Sequence, residues 1–220
     1  MSLAASSHRP LNVLALDTAV EATQAAVVAG DRVLASVSEP MQRGHQERLA
    51  AMVAEVMAAA GLRFEQLDRV GVTVGPGSFT GLRVGLAFAK GLALARAIPC
   101  VGFGTLEAIA AAVAAPGLVA AVIDARRGQV YLQPFEDGRA LAPPEALELE
   151  DAVLRLSRWP AGLLAGSGAD LLGARLPQLS VSAVLRPDPA VLARLAADAP
   201  DTGTSPRPLY LRAPDARLPA

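Results

Sequence analysis

The stretch richest in chemistry is Gly75-Pro-Gly-Ser-Phe-Thr-Gly81, which follows the apolar run Val70-Gly-Val-Thr-Val74 and opens into Leu82-Arg-Val-Gly-Leu-Ala-Phe-Ala-Lys-Gly-Leu-Ala-Leu94. Strand, glycine loop and helix N-terminus in that order leave backbone N–H groups free to hold an anion, so Gly75, Gly77, Ser78 and Thr80 are candidates for a nucleotide site. The standard phosphate motifs are absent. A P-loop needs Lys directly after its last glycine, where Leu82 stands, and a dinucleotide fingerprint needs a third glycine where Thr80 stands. Gly77, Gly81 and Gly85 fall four residues apart, the latter two on one helix face. That spacing predicts close backbone packing at a tight turn rather than a phosphate cradle.

Other catalytic constellations fare worse. The histidines are His8 and His45 alone, too far apart for a His-x-x-x-His metal pair, which leaves only a carboxylate-built metal site open. Ser78 and Ser167 both miss the Gly-x-Ser-x-Gly elbow of a serine hydrolase. Cys100, a lone cysteine in the apolar run Ile98-Pro-Cys-Val-Gly-Phe103, is expected to be inert packing and fits a reducing, cytoplasmic setting. With 20 Lys and Arg against 21 Asp and Glu, net charge is −1, and strong unaided nucleic-acid binding is not expected. No uninterrupted apolar run approaches the ~18 residues of a membrane span. The lead Met1–Pro10 lacks a charged segment ahead of an apolar core, so it is expected to fray rather than to serve as a secretory signal. Residues 200–207, rich in Pro, Thr, Ser and Gly, are expected to form a flexible loop.

These candidates sit on a repeated frame. The apolar runs 11–17 and 118–124 both end on aspartate, Asp17 and Asp124, 107 residues apart, and the turns Gly30-Asp31-Arg32 and Asp137-Gly138-Arg139 recur at the same offset. The first half reads as strands 11–17, 23–29 and 32–38, helix 46–60, strand 70–75, helix 82–96, strand 98–103 and helix 104–115. The second half repeats the three strands and then gives helices at 144–158 and 169–175 with a strand near 162–166. Two such βββαβαβα halves predict a duplicated α/β fold of the actin and sugar-kinase (ribonuclease H-like) kind, with domains at 11–105 and 106–220.

Leu14-Ala-Leu-Asp-Thr-Ala19, Arg43-Gly-His-Gln-Glu-Arg-Leu49, the glycine segment through Gly85, Ile123-Asp-Ala-Arg-Arg-Gly-Gln-Val-Tyr131 and Pro208-Leu-Tyr-Leu-Arg212 together resemble the bacterial TsaB (YeaZ) family. The resemblance spans both halves and implies an actin-like fold. It also implies a role in making threonylcarbamoyladenosine beside the tRNA anticodon, as the non-catalytic partner of the related enzyme TsaD. In that superfamily the first strand's acidic residue is followed closely by glycine and a hydroxyl residue that hold phosphate. Here Asp17-Thr18-Ala19 lacks the glycine, and Arg126-Arg127 place two bulky cations after Asp124. A degraded nucleotide site is the reading, each aspartate serving its own turn as an Asx motif. TsaD-like enzymes hold metal through a His-x-x-x-His pair that this chain lacks, so ATP and metal are expected on the partner and no cofactor on this chain. The resemblance makes the older label "glycoprotease" misleading here.

Helical periodicity points to the partner surface. In 46–60 the residues Leu49, Met52, Val53, Val56, Met57 and Ala60 form one stripe, yet the opposite side offers Ala51, Ala54 and Ala58 with Glu55 as its sole charge after Arg48. In 82–96 only Arg83 and Lys90 are charged before Arg96, among Ala, Gly, Leu86 and Leu94. Two neighbouring helices without a polar outer side predict a partner, although alanine also tolerates water as a good helix former. The expected interface is His45, Leu49, Ala51, Met52, Ala54, Ala58, Arg83, Leu86, Lys90 and Leu94, with His45 a helix-entry or interface residue rather than a general base. The resemblance implies a TsaD-like partner, through it an ATPase subunit and tRNA, and a homodimer when the chain is alone. A kinase or ATPase using Asp17, Thr18 and the glycine loop is the alternative, and a metallopeptidase is disfavoured.

Overall fold

The computed structural model describes residues 9–41 and 44–212. His8, Arg43 and the expectations for the first eight residues lie outside the described residues. Strands β1 (Asn12–Asp17), β2 (Ala22–Ala29) and β3 (Arg32–Pro40) form an antiparallel meander, and β4 (Arg69–Gly75) and β5 (Cys100–Gly104) add in parallel on the far side of β1. The sheet order is β3-β2-β1-β4-β5. Between these strands run α1 (His45–Ala59) and α2 (Phe79–Arg96), followed by α3 (Thr105–Val113). β1 is apolar without alternation because both of its faces are covered. Leu14 and Leu16 meet α1 and α2, while Val13 and Ala15 meet the last helix, α6 (Pro189–Asp198), and Ala108 of α3.

The second sheet is built from β6 (Leu118–Arg126), β7 (Gln129–Glu136), β8 (Arg139–Ala140), β9 (Glu145–Glu148), β10 (Leu163–Ala165) and β11 (Ser180–Val181). Its order is β11-β10-β6-β7, with β8 and β9 both paired along β7. Helices α4 (Leu149–Leu156) and α5 (Ala169–Gly173) cover one face. Leu106 and Ile109 of α3 cover the other. The two sheets therefore share one topology, with the third strand of the second half split in two. Asp17 closes β1 and Asp124 stands two residues before the end of β6, and each carboxylate accepts the N–H two residues on, from Ala19 at 3.0 Å and Arg126 at 2.8 Å.

One expected helix divides. Residues 144–158 begin as β9, because Glu145-Ala-Leu-Glu alternates and pairs with Gln129–Leu132, and only then turn into α4. Helix α6 returns to the first sheet. There the Arg69 Nη1 donates to the carbonyls of Ala196 (2.6 Å), Ala197 (3.2 Å) and Ala199 (2.5 Å), satisfying the helix's open C-terminal acceptors. The chain thus passes to the second half through α3, returns through 182–188, and crosses once more in the tail that follows residue 205, where Pro206 is buried against Gly102.

Candidate functional site

Asp17 is fully buried and accepts three hydrogen bonds: from the Ala19 N–H, from Gln24 Nε2 at 2.8 Å and from Thr73 Oγ1 at 2.6 Å. Gln24 is in turn held by Ser38 Oγ and by the Pro187 carbonyl. Burial pushes the Asp17 carboxyl above the usual carboxylate range, and the three donors pull it back only in part. Held by three donors of the protein's own, Asp17 is a fastening between β1, β2 and β4.

The glycine loop is filled by the protein's own backbone. Thr18 Oγ1 donates to the Gly81 carbonyl at 2.7 Å, and the Ser78 N–H donates to the Ala19 carbonyl at 2.7 Å. A Cβ at Gly81 would overlap the Thr18 carbonyl, one at Gly77 the Ala19 carbonyl, and one at Gly75 the Leu209 carbonyl. Ser78 caps α2 by accepting from the Gly81 N–H, and Thr80 is exposed beside it. Thr18, Gly75, Gly77 and Gly81 therefore lie together as the close-packing reading requires, in the place a phosphate cradle would use.

On the expected partner surface the structure separates two sets. Ala51, Ala54 and Ala58 are exposed on α1, together with Ala50 and Ala59. On α2 the exposed residues Thr80, Arg83, Ala87, Gly91, Leu94 and Ala95 form a stripe at helical spacing, with Leu94 85% exposed and Lys90 half-buried at its side. Leu49, Met52 and Leu86 must be removed from that surface. They are buried in the core between α1, α2 and the first sheet, because they lie on the inward stripe of their helices. His45 is also buried, its Nδ1 2.7 Å from Thr23 Oγ1, and burial lowers its pKa. It faces a cleft rather than the outer side of α1.

That cleft, about 890 Å³, lies between the two halves at the ends of β1 and β6. Its walls include Glu21, Phe79, Asp124, Tyr131 and Arg186, and the tail Leu209–Arg212 runs along it. Sequence reasoning missed Gln24, Thr73 and the cleft-facing role of the tail. Thr73 carried a signal, a hydroxyl inside an otherwise apolar strand. Among the described residues no group of three or more His, Cys, Asp and Glu stands close enough to hold a metal.

Residues 32–163 match the family model described as TsaD, tRNA N6-adenosine threonylcarbamoyltransferase. The chain is similar to the solved structure of YeaZ from Pseudomonas aeruginosa, with 30% identity and a TM-score of 0.74 over 84% of this chain and 90% of that one. The chain belongs to the TsaB (YeaZ) family. It is 40% identical over 126 residues to the tRNA threonylcarbamoyladenosine biosynthesis protein TsaB of Haemophilus influenzae, covering 55% of this chain and 52% of that protein. It is 39% identical over 212 residues to an uncharacterized protein of Mycobacterium leprae, covering 93% of this chain and 56% of that one. The chain thus spans a little over half the length of these two sequence relatives. Its paired sheets of matching order are the duplicated actin-like α/β fold.

Proposed function

We propose that this chain is the non-catalytic subunit of a threonylcarbamoyl-transfer assembly, binding a TsaD-like enzyme through the outer faces of α1 and α2 and supporting modification of a tRNA adenosine next to the anticodon. The observation that carries the reading is the exposed stripe of small and apolar residues on α2, ending in Leu94, beside the exposed alanines of α1. An exposed small and apolar stripe of this kind is what a second surface would cover. The family supports the pathway, and the occupied surroundings of Asp17 and the glycine loop support a chain without chemistry of its own. On this reading ATP and metal belong to the partner enzyme, an ATPase subunit and tRNA join through it, the isolated chain pairs with itself, and the assembly works in the cytoplasm. Among the described residues no helix is long and apolar enough to cross a membrane.

The test is Ala58→Glu and Leu94→Glu, each mixed with the TsaD-like enzyme of the same cell. A carboxylate at either position reaches water in the free chain and is buried without a counter-charge in the complex, at a cost on the order of several kcal/mol. At about 1.4 kcal/mol per tenfold in affinity, a micromolar complex disappears from size-exclusion and tRNA modification falls with it. Unfolding temperature should stay within a few degrees of the parent. Surviving complexes would overturn the reading. The second reading, a kinase or ATPase, draws on the cleft between the halves with Asp17 and Asp124 at its strand ends, and calorimetric titration of the isolated chain with ATP separates the two.

A further inference from the structure

We propose that residues 206–212 are a cross-brace that fixes the angle between the two halves and holds the cleft at one width. On the first half the tail is anchored three times. Pro206 is buried against Gly102, the Leu209 N–H donates to the Val74 carbonyl at 2.7 Å, and the Tyr210 ring packs on Phe79 with centroids 4.8 Å apart. Arg83 secures that last contact, its guanidinium 3.7 Å from the Phe79 centroid and its Nε donating to Tyr210 Oη at 3.2 Å. One residue further on, the tail belongs to the second half. Leu211 packs into the cluster of Ile123, Ala125 and Tyr131, and Arg212 Nη1 donates to the Ala125 carbonyl at 3.0 Å and to Gln129 Oε1 at 3.1 Å.

The two other crossings run through α3, which packs Ala108 on the first sheet and Leu106 and Ile109 on the second, and through 182–188. A pair of passes permits hinge closure. The third pass runs along the cleft itself, so opening or closing the lobes would have to pull Leu211 from its apolar seat or Tyr210 from Phe79. The ion pair between Glu21 and Arg126 also spans the cleft, but both side chains are more than half exposed and such a pair contributes little. Val20 of the first half also packs on the second half's apolar cluster, and the tail adds to it hydrogen bonds on both sides of the cleft and ring packing on the first. Because one of the tail's first-half anchors is Arg83 and Phe79 at the start of α2, the same contacts tie the outer face of α2 to the lobe angle.

The experiment measures that angle in the isolated chain. Spin labels are placed at Ser36→Cys on β3 and Leu154→Cys on α4, both exposed, in a Cys100→Ala background. Dilution with unlabelled chain removes any contribution between copies. The parent should give one narrow distance distribution. Leu211→Ser and, separately, the milder Arg212→Ala should broaden it and shift its mean, Leu211→Ser more, while far-UV circular dichroism stays that of the parent. A folded Leu211→Ser with the parent's narrow distribution would overturn the proposal. So would loss of fold in both variants, which would make the tail core rather than brace.

Discussion

A carboxylate sealed from water, as Asp17 is, couples stability to pH in a direction opposite to that of the exposed acids. Its folded-state pKa lies above the ordinary aspartate value of 3.8, chiefly through burial. Its contribution is therefore full below that value and is lost as pH rises through the folded-state pKa. Glu39 and Glu55 beside Arg48, and Glu150 beside Arg175, shift downward and weaken the protein in acid, but they are common to parent and variant. Denaturant titrations of the parent and of Asp17→Asn from pH 3.5 upward should give a stability difference that moves against the parent as pH rises. A difference independent of pH would mean that Asp17 titrates as an ordinary exposed acid. Gly81 makes a simpler case, because a methyl group there meets the backbone of Thr18 rather than a movable side chain. Gly81→Ala should cost about 1–3 kcal/mol, read as a drop in unfolding temperature of about 2–4 °C per kcal/mol for a chain of this size. An unchanged midpoint would contradict the close packing.

At the scale of elements, periodicity was a sound guide wherever one face of a helix is buried by one sheet. The inward stripe of α1 is legible as Leu49, Met52, Val53, Val56 and Met57, and all five are core. Reading the partner face was harder, since an exposed alanine and a buried one look alike in sequence until the helix phase is set by its sheet. Leu49, Met52 and Leu86 nonetheless stand in the expected interface, although the first two also lie on the inward stripe, and burial removes all three from it. β9 was missed because four residues of alternation adjoin a true helix, and short elements are specified by their partner, here β7, more than by themselves. The Asp17 network was half legible: the strand end could be read, but Gln24, Thr73 and Pro187 come together only by tertiary contact. The seating of α6 was invisible for the same reason, since Arg69 lies more than a hundred residues before the carbonyls it serves. Arg69→Met keeps much of the apolar stem and removes the charged donors, so it should cost about 1.5–3 kcal/mol and speed hydrogen exchange in α6 before the first sheet opens. Uniform exchange throughout the chain would show that the helix is not held by that side chain.

The whole molecule has the form of a two-lobed clamp. Two lobes of one topology flank a cleft with an aspartate at or near the end of each matching strand, which is the frame a nucleotide-driven hinge needs. Three local facts oppose that use: the donors around Asp17 are spent on it, the glycine loop is packed on Thr18 and Ala19, and a strand of tail joins the lobes. Millimolar ATP with magnesium should leave the isolated chain's unfolding temperature within about 1 °C of its unliganded value. The expected size of the opposite result makes this decisive. A ligand at a hundredfold its dissociation constant adds about 2.7 kcal/mol to the folded state. For a chain of this length that corresponds to a rise of about 5–10 °C. A site of ten-micromolar affinity would therefore be obvious at one millimolar ATP. Such a shift would return the cleft to the kinase or ATPase reading, and its persistence in Asp124→Asn would show that the cleft's aspartate does not hold the nucleotide.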